Sequence, residues 1–259
     1  MIFLFAGAVI VSFQVSFAIL PGNYTKLTKL QSRQSQYIIF MHSQQKTMST
    51  PKYKLTYFNC MWLAEPIRYL LSYVKEDFED VRIDYGEWEK NDGKINKDEF
   101  LYQKLPVLED SENGLTLGQS FTIARYLGRK YNLAGKTDVE AAKCDEYSDV
   151  LKDVLKEIEM IYEKDEKTKA ELNTNFLEKT IPRYFSVIES DLKKNGGKYL
   201  VGNGITWIDF LLCHLAQLFS LLSESDVLTD YPTIKKYQQE IFAIPEIKAW
   251  IDKRPVTPY

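Results

Sequence analysis

The sequence predicts a small α/β domain followed by an all-helical domain. Between residues 52 and 118, strand-like segments rich in aromatic and branched side chains alternate with one helix-spaced segment. From about residue 138 onward, almost every apolar residue recurs at helical spacing. A length of 259 residues suffices for two modest domains. We therefore expect an N-terminal extension over residues 1–49, an α/β domain over 50–132 and a helical domain over 138–259.

Composition and charge exclude several functional classes. With 45% hydrophobic and 27% charged residues, the chain has the composition of a globular protein rather than a disordered one. The first 47 residues carry four basic groups and no acid, which leaves 29 basic and 36 acidic groups in the remainder. This remainder of the chain, the body, has an excess of acidic groups and repels nucleic acid, so no nucleic-acid partner is expected.

The cysteines and histidines predict neither a disulfide framework nor a metal site. Cys60, Cys144 and Cys213 are scattered and odd in number. They suit a reducing compartment, so a cytoplasmic location is expected. The two histidines, His42 and His214, are too few for a metal cluster. His214 lies in an apolar stretch and is expected to be packed and hydrogen-bonded, with no catalytic role.

The N-terminus allows two interpretations. Residues 2–20 form an apolar run long enough for a signal peptide or a marginal membrane span, but no Lys or Arg precedes it. Residues 21–50 are polar, and Met48 stands immediately ahead of the first strand. Either translation starts at Met48, or residues 1–20 are a targeting segment that makes the protein secreted or membrane-anchored. The fold prediction therefore rests on the body alone.

The first half of the body begins as a β-α-β unit. Residues 52–58 are rich in aromatic and branched side chains, which is typical of a strand. A helix is predicted next because four apolar residues share one face: Ile67, Leu70, Leu71 and Val74. Val81, Ile83 and Tyr85 alternate and predict a second strand, parallel to the first through a right-handed crossover.

Two further strands and a helix complete the α/β unit. The charged stretch 87–99 carries little pattern and is expected to be a loop. Residues 105–108 predict a short strand, and an Asn-Gly turn within 111–114 returns the chain as the antiparallel strand 115–117. A helix over 119–131 closes the unit. The order β-α-β-loop-β-β-α is the thioredoxin-like arrangement.

Apolar periodicity predicts the first two helices of the second domain. The first is indicated by one apolar face: Val150, Leu151, Val154, Leu155, Ile158, Ile161 and Tyr162. The second covers residues 176–192, where Pro182 is expected to produce a kink. The Asn-Gly-Gly sequence at 195–197 ends that helix.

Cap signals predict the remaining helices. Thr206 and Asp209 have the spacing of a capping box and precede an almost wholly apolar helix that runs to residue 222. Because that helix is apolar all round, we expect it to form the core of the second domain. Pro232 and Pro245 stand where the first residues of two shorter helices are expected.

A tyrosine stands where a thioredoxin-like sheet binds its ligand. The segment after the first strand, residues 57–68, contains Cys60 as its only cysteine, so dithiol redox chemistry is excluded. Tyr57 lies at the end of that strand, and ligands meet such sheets at strand ends. Tyr57 is therefore the first candidate for a functional side chain.

Seven segments, which follow in order along residues 48–259, carry a resemblance to a known family. They are YKLTYFN, LAEPIRYLLSY, EDVRIDYGEW, KLPVLED, LTLGQSFTIARYLGRKYNLAGKT, VGNGITWIDF and AIPEIKAWIDKRPVT. On these segments the body resembles the sigma-class glutathione S-transferases, which include prostaglandin D synthases and S-crystallins. The resemblance implies the glutathione transferase fold, with glutathione as co-substrate, no cofactor, a small apolar electrophile as second substrate, and a homodimer.

The resemblance assigns the thiol and the γ-glutamyl end of glutathione to four residues. It implies that Tyr57 donates a hydrogen bond to the sulfur and so favours thiolate over thiol. Leu63 occupies the loop beside the sulfur. The resemblance also implies that Gln119 and Ser120 hold the γ-glutamyl carboxylate at a helix N-terminus; a plain N-cap role for Ser120 is compatible with this.

The remaining parts of glutathione are assigned in the same way. A cis-proline in the family's pattern implies that Leu105 and Pro106 present backbone to the cysteinyl part, with Gln103 and Lys104 beside them. Trp88 is implied to cover the glycyl end; anchoring of a surface loop is its alternative role.

The family's dimer contact falls on Asp153. The resemblance implies that this carboxylate reaches the glutathione of the partner subunit; a solvated charge on an amphipathic helix is the alternative. A complete site would then require the homodimer.

Three departures from the family pattern weaken parts of this assignment. The family often has arginine in the loop that residues 60–63 occupy here, so a second side-chain donor to the sulfur is missing. Asp92 stands where a basic residue usually follows the tryptophan, which leaves Lys90 and Lys94 as candidates for the glycyl carboxylate. Met160 stands near the aromatic residue of prostaglandin synthases. General conjugation is therefore preferred to prostaglandin D isomerase or peroxidase activity, and a non-catalytic S-crystallin-like protein is the alternative outside the enzymes.

Overall fold

A computed structural model describes residues 51–90, 94–158 and 161–257. The extension over residues 1–49, with its two interpretations, lies outside them, as do Asp92 and Met160. Within the described part of the chain, no helix has the length and apolarity needed to cross a membrane.

Four strands form one mixed sheet in the α/β part. They are β1 (Tyr53–Phe58), β2 (Phe78–Ile83), β3 (Val107–Asp110) and β4 (Leu115–Gly118). The sheet has the order β2-β1-β3-β4, with β1 parallel to β2 and β3 antiparallel to both β1 and β4. The predicted β-α-β unit and its antiparallel return are confirmed.

Among the described residues of the α/β part, three α-helices accompany this sheet. They are α1 (Glu65–Tyr73), α2 (Tyr85–Lys90) and α3 (Ser120–Lys130). Ile67, Leu70 and Leu71 are fully buried on α1, which confirms the predicted apolar face. The prediction for Tyr85 was wrong, because Asp84 ends the strand and caps α2. The Asp84 carboxylate accepts the backbone N–H of Glu87 at 2.9 Å.

Two other predictions in the α/β part are corrected. The third strand begins at Val107 rather than at residue 105, since Pro106 has no N–H to offer the strand ladder. The stretch 87–99 was expected to be a loop. Its described residues contain part of α2 and the 3₁₀ turn Lys97–Glu99, and a second 3₁₀ turn, Leu101–Gln103, follows. Such short helical turns are too brief to show periodicity.

Six helices are described in the second part of the chain. They are α4 (Asp138–Lys156), α5 (Glu166–Asn175), α6 (Ile181–Lys194), α7 (Trp207–Ser223), α8 (Pro232–Phe242) and α9 (Pro245–Lys253). The helix starts predicted at Pro232 and Pro245 are confirmed. The Asn-Gly-Gly stop is confirmed as well, because Gly196 and Gly197 both have φ near +75° at the end of α6.

Two helix predictions in this part were wrong at their ends. Helix α4 ends at Lys156, so Ile158, Ile161 and Tyr162 lie beyond it. Ile158 still packs in the core at 3% exposure, which is why the apolar period continues past the helix. The predicted kink in the next helix is a π-turn, Phe176–Thr180, which precedes α6. Pro182 is the second residue of α6 and directly follows this wider turn.

Helix α7 is the core of the helical part, as predicted. Its capping box is formed, and the backbone N–H of Thr206 donates to the Asp209 carboxylate at 2.6 Å. Helix α7 packs against α1 and α3 of the α/β part and against α4 and α8. The close approach to α3 requires Gly128, because a Cβ atom there would lie 2.6 Å from the Trp207 side chain. Helix α7 therefore fixes the sheet against the helices.

Candidate functional site

A cleft of about 770 Å³ opens between the end of β1 and the helical part. The α/β part contributes Tyr57, Phe58, Asn59, Cys60, Trp62, Asp84 and Tyr85; the helical part contributes Ile161, Tyr162, Lys169, Leu221, Leu222 and Glu224. Tyr85, Tyr162 and Leu221 are 60%, 81% and 45% exposed, so large apolar side chains meet solvent at this cleft. This arrangement suits an apolar ligand.

Tyr57 presents a neutral hydroxyl to the cleft. It is the fifth residue of β1, and only 3% of it is exposed. Burial raises the pKa of Tyr57 above its ordinary value, and the opposing effect of the Leu63 backbone amide only partly offsets it. The hydroxyl is therefore protonated at neutral pH and can donate a hydrogen bond to an anion in the cleft.

The strand register brings three predicted site segments to one edge of the sheet. Val107 is paired with Thr56 on one side and with Gly118 on the other. The residues that follow or precede these partners are Tyr57, Pro106 and Gln119, so the three stand side by side where the ladders end. The Leu105–Pro106 bond is cis, as the resemblance implies.

The γ-glutamyl candidates lie at the start of α3. Gln119 precedes the helix with φ of 69° and is exposed, whereas Ser120 is the first helical residue and is 7% exposed. No acidic side chain lies in the first turn of α3. The positive end of the helix is thus available to a carboxylate.

Gln103 and Lys104 are exposed beside the cis-proline. The Gln103 side-chain amide donates to the Asp98 carboxylate at 2.8 Å, and this hydrogen bond restricts the rotation of the side chain. Lys104 has an extended backbone. Their contacts with glutathione remain predictions.

Trp88 is an anchor for the segment that contains α2. Its ring is 6% exposed and packs edge-on against Phe58 and Phe100, with centroid distances of 5.6 and 5.5 Å. The Lys97 ammonium lies 5.1 Å from the ring centroid. The anchoring role is therefore established, and a contact with the glycyl end of glutathione remains a prediction.

Asp153 does not line the cleft. It is exposed on α4 and forms an ion pair with Lys156 at 2.8 Å, one turn along the same helix. This geometry is that of a solvated surface charge. The role implied toward a partner subunit remains a prediction.

Two buried side chains hold the loop that follows Tyr57. The Arg68 guanidinium donates to the Cys60 carbonyl at 2.8 Å, and His214 Nε2 lies 2.6 Å from the Trp62 carbonyl. Arg68 and His214 are both fully buried. The packed, hydrogen-bonded environment predicted for His214 is confirmed. The loop that contains Leu63 is consequently fixed from beneath by α1 and α7.

A charge cluster beneath the same loop ties the last helix to the α/β part. The Glu65 carboxylate, fully buried, accepts hydrogen bonds from Arg68 at 3.0 Å, Trp250 at 2.8 Å and Arg254 at 2.6 Å. Burial alone would raise the pKa of Glu65, but the neighbouring positive groups, Arg68 first, outweigh it and hold the pKa below its usual value. Glu65 is therefore ionised at neutral pH.

Sequence reasoning missed most of the cleft lining. Ile161 lies between α4 and α5, Lys169 on α5 and Leu221 on α7; these residues carry no motif, so only the tertiary structure brings them into one cleft with Tyr57. Cys60 also lines the cleft, and burial raises the pKa of its thiol to about 11. Cys60 is thus a protonated, weakly nucleophilic thiol at neutral pH.

Comparison with known proteins agrees with this architecture. The family model for the N-terminal domain of glutathione S-transferases matches residues 53–129, and the model for their C-terminal domain matches residues 152–254. Human hematopoietic prostaglandin D synthase is 34% identical over 207 residues, which are 80% of this chain and 98% of that protein.

Solved structures of glutathione S-transferases and of a prostaglandin synthase are also similar to this chain. The structure of prostaglandin synthase D of Nilaparvata lugens is 38% identical, has a TM-score of 0.72, and aligns over 80% of this chain and 100% of its own. A monomeric glutathione S-transferase from the hookworm Necator americanus is 33% identical with a TM-score of 0.68, over 80% and 99% of the two chains. Since both halves are matched in order and relatives above 30% identity are covered almost completely, this chain belongs to the glutathione S-transferase family.

Proposed function

We propose that Tyr57 holds the sulfur of glutathione as a thiolate, which the protein conjugates to small apolar electrophiles. One observation carries the proposal: a buried, protonated tyrosine hydroxyl belongs to the lining of an apolar cleft. A hydrogen bond from this hydroxyl stabilises the anionic form of the sulfur and lowers its pKa. The cleft then supplies the apolar environment for the electrophile.

The sheet edge supports a position for the rest of glutathione. With its sulfur at Tyr57, the cysteinyl backbone would lie against Leu105 and Pro106, and its γ-glutamyl carboxylate would meet the N-terminus of α3 at Gln119 and Ser120. The register that aligns these segments supports this position. Trp88 is assigned to the glycyl end.

Class, assembly and location belong to the same proposal. The seven matching segments support a sigma-class enzyme that detoxifies electrophiles, with domains over residues 50–132 and 138–259. Three free cysteines support a cytoplasmic location.

The exposed Asp153 supports a homodimer in which it reaches the partner's glutathione. Because a related hookworm enzyme is monomeric, measurement of the mass in solution tests the dimer, and an active monomer contradicts the role of Asp153.

Conjugation by the Tyr57→Phe variant tests the mechanism. Wild type and variant are assayed with glutathione and an aryl halide at neutral pH, where free glutathione is mostly thiol. We expect a rate loss of about ten- to a hundredfold, the loss of thiolate that follows from a pKa rise of about one to two units. Equal rates would refute the role of Tyr57. Glutathione binding without turnover of any electrophile would favour the non-catalytic, S-crystallin-like alternative.

Prostaglandin D isomerase activity is a second candidate, favoured by one feature of the cleft. Lys169 lines the cleft together with apolar side chains and two acidic residues, Asp84 and Glu224, and no ion pair joins Lys169 to a carboxylate in the part of the chain that the structure describes. Such a site suits an apolar substrate that ends in a carboxylate. Relatives named prostaglandin D synthase point the same way. Product analysis after incubation with the prostaglandin endoperoxide and glutathione distinguishes isomerisation from conjugation.

A further inference from the structure

The peptide unit between Trp62 and Leu63 lies in the loop that follows Tyr57. On its carbonyl edge, His214 Nε2 lies 2.6 Å from the Trp62 oxygen, across a separation of 152 residues in the chain. Trp62 and Tyr57 line the same cleft, and the Leu63 amide acts on the Tyr57 hydroxyl so as to oppose the rise in its pKa. A buried residue of α7 therefore holds the loop that lies beside Tyr57.

The backbone at this peptide is held in an unusual conformation. Trp62 has φ of 30°, in the left-handed region that side chains with a Cβ rarely adopt. A residue held there requires support from its surroundings. The hydrogen bond from His214 to the Trp62 carbonyl supplies such support directly.

The chemistry of the contact fixes the direction of the hydrogen bond. Burial lowers the pKa of His214 to about 4, so the ring is neutral at neutral pH and carries a single N–H. A carbonyl oxygen can only accept, which places that proton on Nε2. Nδ1 has no hydrogen-bond partner among the described residues.

The groups around the ring do not compete for this proton. Tyr69 packs edge-on against His214 at a centroid distance of 6.1 Å. Glu65, Arg68 and Arg254 are the charged groups that act on the ring, and the Glu65 carboxylate is already bonded to Arg68, Trp250 and Arg254. His214 is thus committed to the Trp62 carbonyl.

We propose that His214 is a positioning residue for thiol activation: by donating to the Trp62 carbonyl, it fixes the loop that lines the cleft beside the Tyr57 hydroxyl. This inference rests on the proposed function. If the Trp62 carbonyl loses its donor, the loop with its left-handed Trp62 loses a direct support, and the surroundings of the Tyr57 hydroxyl change with it.

The loop has no arginine to share this task. Residues 60–63 are Cys, Met, Trp and Leu, which leaves Tyr57 as the side-chain donor that the loop region offers to the sulfur. The surroundings of one hydroxyl consequently control the thiolate population, and a residue that fixes the neighbouring loop influences that population indirectly.

Two substitutions at one position separate positioning from packing. His214→Leu keeps the volume but removes the donor, whereas His214→Gln keeps a donor at the position of Nε2. The readout is the pKa of glutathione bound to the full-length protein, followed through the ultraviolet absorption of the thiolate as pH is varied. We expect a rise of about one unit in His214→Leu, a tenfold lower ratio of thiolate to thiol. We expect His214→Gln to restore most of the wild-type value.

Cys213→Ala is the matched control. Cys213 is fully buried on the same helix, one residue away, and its side chain is not part of the loop contact. We expect this variant to lose stability and to leave the thiol pKa unchanged. A folded His214→Leu protein with the wild-type thiol pKa, or a rise of the same size in Cys213→Ala, would overturn the inference.

A measurement on the wild type keeps the inference testable if His214→Leu does not fold. The chain contains two histidines, so ¹⁵N NMR of the imidazoles gives few signals to assign. We expect the buried ring to be the Nε2–H tautomer, and an Nδ1–H tautomer or a charged ring would overturn the inference. Wild-type protein that neither binds nor conjugates glutathione would instead refute the proposed function itself.

Discussion

Glu65 offers a sharp test of how the loop and the last helix are held. Glu65→Gln keeps the shape of the side chain but removes the charge that Arg68 and Arg254 share. Removing one partner from a buried ion pair costs about 3–5 kcal/mol, because the other charges remain buried without compensation. Against a total of about 5–15 kcal/mol, this is a large fraction of the stability.

The pH dependence of this loss has a definite sign. The pKa of Glu65 is lower in the folded protein than in the unfolded chain. The ionised carboxylate therefore contributes its full stabilisation at pH values above the pKa of the unfolded chain, and this stabilisation is lost as pH falls through the pKa of the folded protein. The stability difference between wild type and Glu65→Gln should therefore begin to narrow near pH 4.3, about the ordinary value for Glu, and continue to narrow below it.

Urea unfolding of both proteins at several pH values measures this difference. Glu246→Gln is the matched control, since Glu246 lies near the start of α9 but forms an ion pair with Lys75 at the protein surface. We expect its unfolding midpoint to stay at the wild-type value. Equal midpoints for Glu65→Gln and wild type at neutral pH, or a difference that does not shrink in acid, would refute the reasoning.

Three further predictions concern packing, the cleft and its thiol. Gly128→Ala should lower the free energy of unfolding by about 1–3 kcal/mol, because the new methyl group would lie 2.6 to 2.8 Å from the Trp207 side chain. Thermal unfolding measures this loss, and a variant at least as stable as the wild type would contradict the close approach. Lys169→Met should raise KM about two- to fivefold for an electrophile that carries a carboxylate and leave KM for its neutral ester unchanged. Equal effects on both substrates would show that the ammonium does not meet the anion. Cys60 should react slowly with iodoacetamide at neutral pH and faster as pH rises toward about 11, and rapid labelling near pH 7 would contradict the raised pKa of its thiol.

Local signals in the sequence predicted the features that depend on neighbouring residues. Thr206 and Asp209 form their capping box, and Pro232 and Pro245 begin their helices, because caps and first turns are made by residues a few positions apart. Tyr57 lies at the end of β1, as the strand pattern indicated. These parts of the fold needed no tertiary information.

Features that depend on competing or distant residues could not be predicted in this way. Tyr85 continues a strand-like alternation, but the cap formed by Asp84 directs it into a helix. The left-handed Trp62 is held by His214, and no pattern relates positions 152 residues apart. The cleft lining is likewise assembled from segments that only the folded chain brings together.

The pKa of the glutathione thiol, measured on the complex with wild type and with Tyr57→Phe, tests the central claim most directly. Free glutathione has a thiol pKa near 8.5, and one hydrogen bond from a buried hydroxyl is expected to lower it by about two units. We predict a bound thiol that is mostly ionised at neutral pH in the wild type and mostly protonated in Tyr57→Phe. The same thiol pKa in both complexes would contradict the claim that Tyr57 activates glutathione.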